Sequence, residues 1–293
     1  MKKAVILVFV LISGLSLNAQ PNMSISGSVE WDLQEIRTVV SLDLVSAGLR
    51  LPAGRTQGET LLNAGYVGLI RPWIFSLRVD SSSSIGDLIE REEITLVEVD
   101  AFIQQSISVS PSLSQDMRSI TSSHTIPLAN ISSALLRHTR PSTIMRTLNP
   151  VSAASYTGII IIAAENLPVH GMRSSALPVP CLFPKIWDSE MNLVYERNIL
   201  ENRARPMVRY SSVENIFFSN HPSGLSPELR EIVGERPLRI FARGVFGINP
   251  TDLIIDRSDA LLIISSDDNR RLLSQGKVVI ILDDSVLRYD TNQ

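Results

Sequence analysis

Tyr156-Thr-Gly-Ile-Ile-Ile-Ile-Ala-Ala164 is a nearly unbroken apolar, β-branched run. It is too short to cross a membrane, and its lack of alternation fits a strand covered on both faces. A Gly/Pro-rich loop follows. The chain then resumes at Pro180-Cys-Leu-Phe-Pro-Lys-Ile-Trp-Asp188 and Leu193-Val-Tyr195, which read as a hairpin-like pair. The stretch holds no obvious reactive group. Cys181, between Pro180 and Leu182, reads as an inert buried thiol, and Phe183 and Trp187 read as packing residues.

Downstream, Pro206 to Tyr210 reads as a strand, and the Asn-His-Pro-Ser cluster after Ser219 as a turn. Ser226-Pro227-Glu228 supplies a hydroxyl cap, a proline at the first helical position and an acid. It starts a helix through Val233 that Gly234 closes. Pro237 to Val245 is a strand, Asn249 to Asp252 a turn, and Leu253 to Ile255 a short strand. Ser258-Asp259 caps a helix over Ala260 to Ile264, and Asp267-Asp268 starts another through Leu273 that ends at Gly276. Lys277 to Leu282 is a second buried strand.

Upstream, Met23 to Trp31 and Leu33 to Leu44 alternate apolar with small polar residues, as one long edge strand or a hairpin. Helical spacing runs from Thr56 to Arg71, where Pro72 is expected to stop it; Trp73 to Val79 returns to strand character. Asp80 to Ser84 is a hydroxyl-rich turn, and Ile85 to Arg91 a short helix. Ile94 to Val99 and Phe102 to Val109 form two apolar–polar segments. Met117 to Leu128 reads as a strand, and Asn130 as the cap of a helix from Ile131 to His138. Arg140 to Pro150, bracketed by prolines, reads as a linker. The expected fold class is α+β, in two units, each a small mixed or antiparallel sheet with short packed helices.

Compartment follows from the start of the chain. Met1-Lys-Lys, an apolar core from Ala4 to Leu15, and Leu17-Asn-Ala19 before Gln20-Pro21 read as a signal peptide over residues 1–19. The expected division is then an N-terminal α+β unit over 20–139, a linker over 140–150 and a C-terminal α+β domain over 151–293. The expected location is the periplasm, with outer-membrane association and at most peripheral membrane contact. The one cysteine lies far from the cleavage site, so no lipid anchor is expected, and stability must come from a packed core. A chain with 44% hydrophobic and 19% charged residues fits an ordered protein.

Charge argues against nucleic acid as a partner. The formal charge is -3, and 23 of the 27 basic residues are arginines scattered among acids. The densest group, Arg197, Arg203, Arg205 and Arg209, is interleaved with Glu196 and Glu201 and reads as a solvated mixed-charge segment.

Catalytic patterns are missing. There is no G-x-S-x-G elbow and no phosphate-binding glycine loop, and His124, His138, His170 and His221 are widely spaced. Asp252, Asp256, Asp259, Asp267 and Asp268 cluster near the end, but their spacing is not that of a calcium loop. No catalytic, cofactor-binding or metal-ligating residue is assigned, no cofactor is expected, and the chain reads as a non-enzyme.

The tail carries a resemblance. Gly247-Ile-Asn-Pro-Thr-Asp-Leu-Ile-Ile-Asp256, with Ser258-Asp-Ala260 and Gln275-Gly-Lys-Val-Val-Ile-Ile-Leu-Asp283, resembles the end of exported bacterial proteins related to FlgP, the flagellar outer-membrane lipoprotein. Tyr156 to Ala163, Ala176-Leu-Pro178, Phe183 to Asp188 and Leu77 to Leu88 fit the same likeness. The resemblance implies an envelope protein that assembles into larger structures, as self-association or with other envelope or flagellar proteins. The family's lipid-bearing cysteine is not found here. The expected function is a structural or assembly component of the cell envelope, linked to the flagellar motor or outer membrane. The alternative is a periplasmic binding module that holds a small molecule or glycan in the cleft between the two units.

Overall fold

The computed structural model describes residues 23–219 and 221–290; the expected signal peptide lies outside them. The chain is α+β, in two units.

The first unit is an antiparallel sheet under a long helix. β1 (Met23–Glu30) and β2 (Glu35–Asp43) form a hairpin, and β5 (Ser119–Pro127) pairs with β2. The short β3 (Ile107–Ser108) and β4 (Ser112–Leu113) both pair with β5. Inward positions such as Ile36, Val40, Leu42, Ile120 and Ile126 are buried, while alternate positions face outward.

Helix α1 (Gly54–Ser76) covers the inner face and runs through Pro72, contrary to the expected stop and the expected strand from Trp73. Interior proline costs about 3 kcal/mol. Trp73 and Ile74, just beyond it, extend the buried stripe of Leu62, Tyr66 and Ile70. At roughly 1.5–3 kcal/mol per large buried apolar side chain, those two offset the proline.

Two capping boxes set the next helices. Ser84 and Asp87 exchange hydrogen bonds at the start of α2 (Ile85–Glu90), and Thr95 and Glu98 do so at α3 (Leu96–Gln104). The second of these makes one helix of Leu96 to Gln104, across the expected segments Ile94 to Val99 and Phe102 to Val109, and only Ile107–Ser108 of the latter is strand. Helix α4 (Leu128–Leu135) starts three residues before the expected Ile131 and is preceded by Pro127 rather than capped by Asn130. Its first residue, Leu128, is fully buried and holds the earlier start.

The second unit is built on the isoleucine run. β6 (Ile159–Ile162) lies inside a seven-stranded mixed sheet, parallel to both β12 (Leu238–Phe246) and β14 (Val278–Leu282). β11 (Arg209–Ser212) flanks β14 in parallel. On the other side β12 meets β13 (Asp252–Ile255) antiparallel, then come β9 (Ile186–Asp188) and the edge strand β10 (Leu193–Tyr195). A separate small ribbon pairs β7 (Leu167–Pro168) with β8 (Ser175–Ala176).

Both faces of β6 are covered. Ile159 and Ile161 join the main core, and Ile160 joins a smaller one with Leu229 and Val233 of α5 (Pro227–Val233). A Cβ at Gly158 would sit 2.4 Å from that of Val233, so α5 approaches the sheet only because residue 158 has no side chain. The helices α6 (Arg257–Ile264) and α7 (Asp267–Ser274) supply Ala260, Ile263, Leu272 and Leu273 to the main core.

The chain then returns to the first unit. After α8 (Asp284–Leu287), β15 (Arg288–Asp290) pairs antiparallel with β1. β1 is therefore an interior strand of its sheet. One continuous apolar cluster runs from Val29 and Trp31 through Ile74 and Phe183 to Leu282 and Leu287, so the units share a core.

Candidate functional site

Among the described residues no group of three or more His, Cys, Asp or Glu side chains is placed to hold a metal ion. No helix among them is long and apolar enough to cross a membrane. The C-terminal acids serve separate local tasks. Asp256 pairs with Arg243 at 2.7 Å, Asp267 with Arg146 and Arg270, and Asp268 with Arg271. Asp259 sits in the first turn of α6, and burial raises its pKa.

Asp252 is the exception. It is 1% exposed. Its carboxylate accepts hydrogen bonds from Lys185 N at 3.1 Å, Trp187 Nε1 at 3.3 Å, Thr251 Oγ1 at 3.3 Å and Ser81 Oγ at 3.2 Å. Burial outweighs these donors and raises its pKa. Ser81 comes from the Asp80 to Ser84 turn of the first unit. That turn is clasped further: Leu182 and Phe183 donate their amides to the carbonyls of Arg78 and Val79, and Asn249 donates to that of Ser81. Gly247, at φ 109°, makes room for the Ser81 side chain. The clasp is a polar weld between units.

A second weld is apolar. Trp31, at the end of β1, meets Tyr210 of β11 edge-on with ring centroids 5.8 Å apart, and its amide donates to Leu287 O. Tyr210 Oη in turn donates to Cys181 O and accepts from Cys181 N. Cys181 is fully buried, and burial pushes its thiol pKa far up, so it is inert as expected. Phe183 is a core residue, and Trp187, partly buried, packs edge-on against Phe246.

The histidines are scattered. His138 Nε2 bonds Leu200 O, His170 packs edge-on against Phe246, and His221 Nδ1 bonds Ser223 Oγ. His124 is 4% exposed and stacks on Tyr66 of α1 at 3.8 Å, with neither ring nitrogen hydrogen-bonded. Burial lowers its pKa from 6.5. The unfolded chain therefore takes up a proton as pH falls through about 6.5 while the folded chain resists it, so stability drops as pH falls through that window. Urea unfolding at pH 7 and at pH 5 checks this. His124→Phe is expected to flatten the pH dependence.

The cleft between units, lined by Leu88, Glu92, Glu93, Leu136, Arg137 and Arg197, holds about 250 Å³. A larger cleft of about 580 Å³ lies where α5 meets the starts of β11 and β14. The arginine group read as solvated is divided between the two clefts. Arg205 is exposed, Arg197 lies over the Phe183 ring at 5.5 Å, and Arg209 is partly buried, with its pKa lowered by burial.

Residues 22–134 match the family model described as Treponema pallidum Tp0624, N-terminal domain. Residues 158–284 match that described as Treponema pallidum Tp0624, second domain. No curated protein matches the chain. Both units are thus similar, in order, to domains of a spirochete protein.

Proposed function

We propose that this chain, made of two units similar to the first two domains of Tp0624, is a non-enzymatic structural component of the bacterial cell envelope. It is exported to the periplasm, associates with itself or with other envelope proteins, and is linked to the outer membrane or flagellar motor. The last point rests on the likeness of Gly247 to Asp256 and Gln275 to Asp283 to FlgP-related proteins.

The observation that carries the structural reading is the joining of the units. A ligand-gating module needs a hinge and a cleft, whereas β15 on β1, the Ser81–Asp252 clasp and the shared core make one body. The inter-unit cleft of about 250 Å³ is smaller than the roughly 300–1,000 Å³ of ordinary ligand pockets, which disfavours the binding-module alternative.

Self-association has a suitable surface. β3 lies at the edge of its sheet, with Ile107 and the adjacent Val109 exposed at 65% and 64%. Val109 donates its amide to Ser123 O, and Val39 lies across from Ser123 on β2. An open edge with apolar side chains is a template for another strand. Sedimentation of the mature protein over a concentration series is expected to show assembly that Ile107→Lys with Val109→Lys abolishes. A monomer at every concentration counts against the reading. Cell fractionation tests location: the mature chain should travel with the outer membrane or the basal body.

A further inference from the structure

We propose that the cleft between α5 and the starts of β11 and β14 binds a short peptide by its free ends, taking the carboxylate on Arg209 with Arg205 and Lys277, and the ammonium on Glu231 with Glu228. This goes beyond the structural reading and does not depend on it. The cleft's volume of about 580 Å³ lies within the usual range for a ligand site.

Its lining is divided by sign. The first residue of β11 and the segments leading into β11 and β14 bring three cations, Arg209, Arg205 and Lys277, and α5 brings Glu228 and Glu231, with Ile232 as an apolar wall. Among the described residues none of the three cationic side chains donates a hydrogen bond within the protein or makes an ion pair. Glu231 acts on Arg209 only at a distance. Many arginines elsewhere are paired: Arg71 with Asp100, Arg243 with Asp256, Arg257 with Asp188.

Arg209 is the informative member. An arginine whose stem alone packs keeps its guanidinium in water. Here burial outweighs the distant attraction of Glu231 and disfavours the charge, and no carboxylate among the described residues pairs with the guanidinium directly. An unpaired, partly desolvated fork of donors is matched by a carboxylate, which it grips through two parallel hydrogen bonds. The two glutamates repel a phosphate dianion but attract an ammonium group. A zwitterion satisfies both walls.

The probes are alanyl-alanine, its N-acetylated form, its C-terminal amide and inorganic phosphate, titrated into the mature protein by calorimetry. Alanyl-alanine is expected to bind saturably and more tightly than either blocked form. Arg209→Met is expected to weaken it at least about tenfold, because it removes a charge-assisted pair. Glu231→Gln should erase the advantage of the free ammonium group over the acetylated form. Thermal unfolding supplies the control: Arg209→Met should leave Tm unchanged or raise it, since it relieves an unpaired, partly buried charge. No saturable binding, binding that survives Arg209→Met, or phosphate binding as well as the dipeptide would each overturn the proposal. None of these results bears on assembly through the β3 edge.

Discussion

Trp31→Ala is expected to lower stability by about 3–5 kcal/mol, the usual cost of emptying a buried tryptophan site. The ring is 1% exposed and belongs to the core shared by the units. It also sits beside the Trp31 N to Leu287 O hydrogen bond, where the C-terminal strand returns to β1. The cavity would therefore open at the junction, against Tyr210, and not inside either unit. Guanidinium unfolding followed by circular dichroism measures the loss. A loss below about 1 kcal/mol would mean that Trp31 does not join the units. Trp31→Phe is expected to cost much less, since it keeps an aromatic ring against Tyr210 and removes an indole N–H that has no partner.

Asp252→Ala is expected to cost about 3 kcal/mol or more. Each buried donor left without an acceptor costs roughly 1–3 kcal/mol, and this change orphans Lys185 N and Trp187 Nε1 and frees Ser81 from the second unit. Asp252→Asn keeps the shape and one acceptor oxygen, so about half that loss is expected. The pH dependence separates charge from shape. Burial raises the Asp252 pKa above 3.8, so the folded chain holds this proton more tightly than the unfolded chain. The stability that this group contributes is full below about 3.8 and is lost as pH rises through the higher folded value. The asparagine variant should lack that slope, which paired denaturation curves at pH 4 and pH 7 would reveal. Limited proteolysis reports on the clasp: in Asp252→Ala the Asp80 to Ser84 turn should be cut faster than in the parent. Equal rates would show that Ser81 is held without it.

Local chemistry made parts of the fold readable. Ser226-Pro227-Glu228 and Gly234 bound α5 as read, and Ser226 Oγ accepts from Leu229 N at 3.4 Å. The isoleucine run lies within the sheet because four apolar residues without alternation have no face to offer water. Helix α3 has its own sequence signal: Thr95-x-x-Glu98 is a capping box, and its two hydrogen bonds outweigh the β-branched residues that follow. At Pro72 the local rule failed because two buried side chains beyond it outweigh one lost hydrogen bond. Arg209 could not be told from its neighbours in sequence. Charge density along the chain says nothing about which guanidinium lies in a cleft.

The sequence by itself determined the α+β class, the buried run at Ile159 to Ile162, the inert setting of Cys181 and the extents of α5 and α7, because periodicity and capping act over a few residues; it put the start of α6 at Ser258-Asp259, where the helix already begins at Arg257. Only the tertiary structure decided that Arg288 to Asp290 completes the sheet begun by Met23 to Glu30, that Ser81 meets Asp252 across 171 positions, and that three unpaired cations share a cleft with two glutamates. The physical reason is that burial and pairing depend on which distant segments the shared core brings into contact.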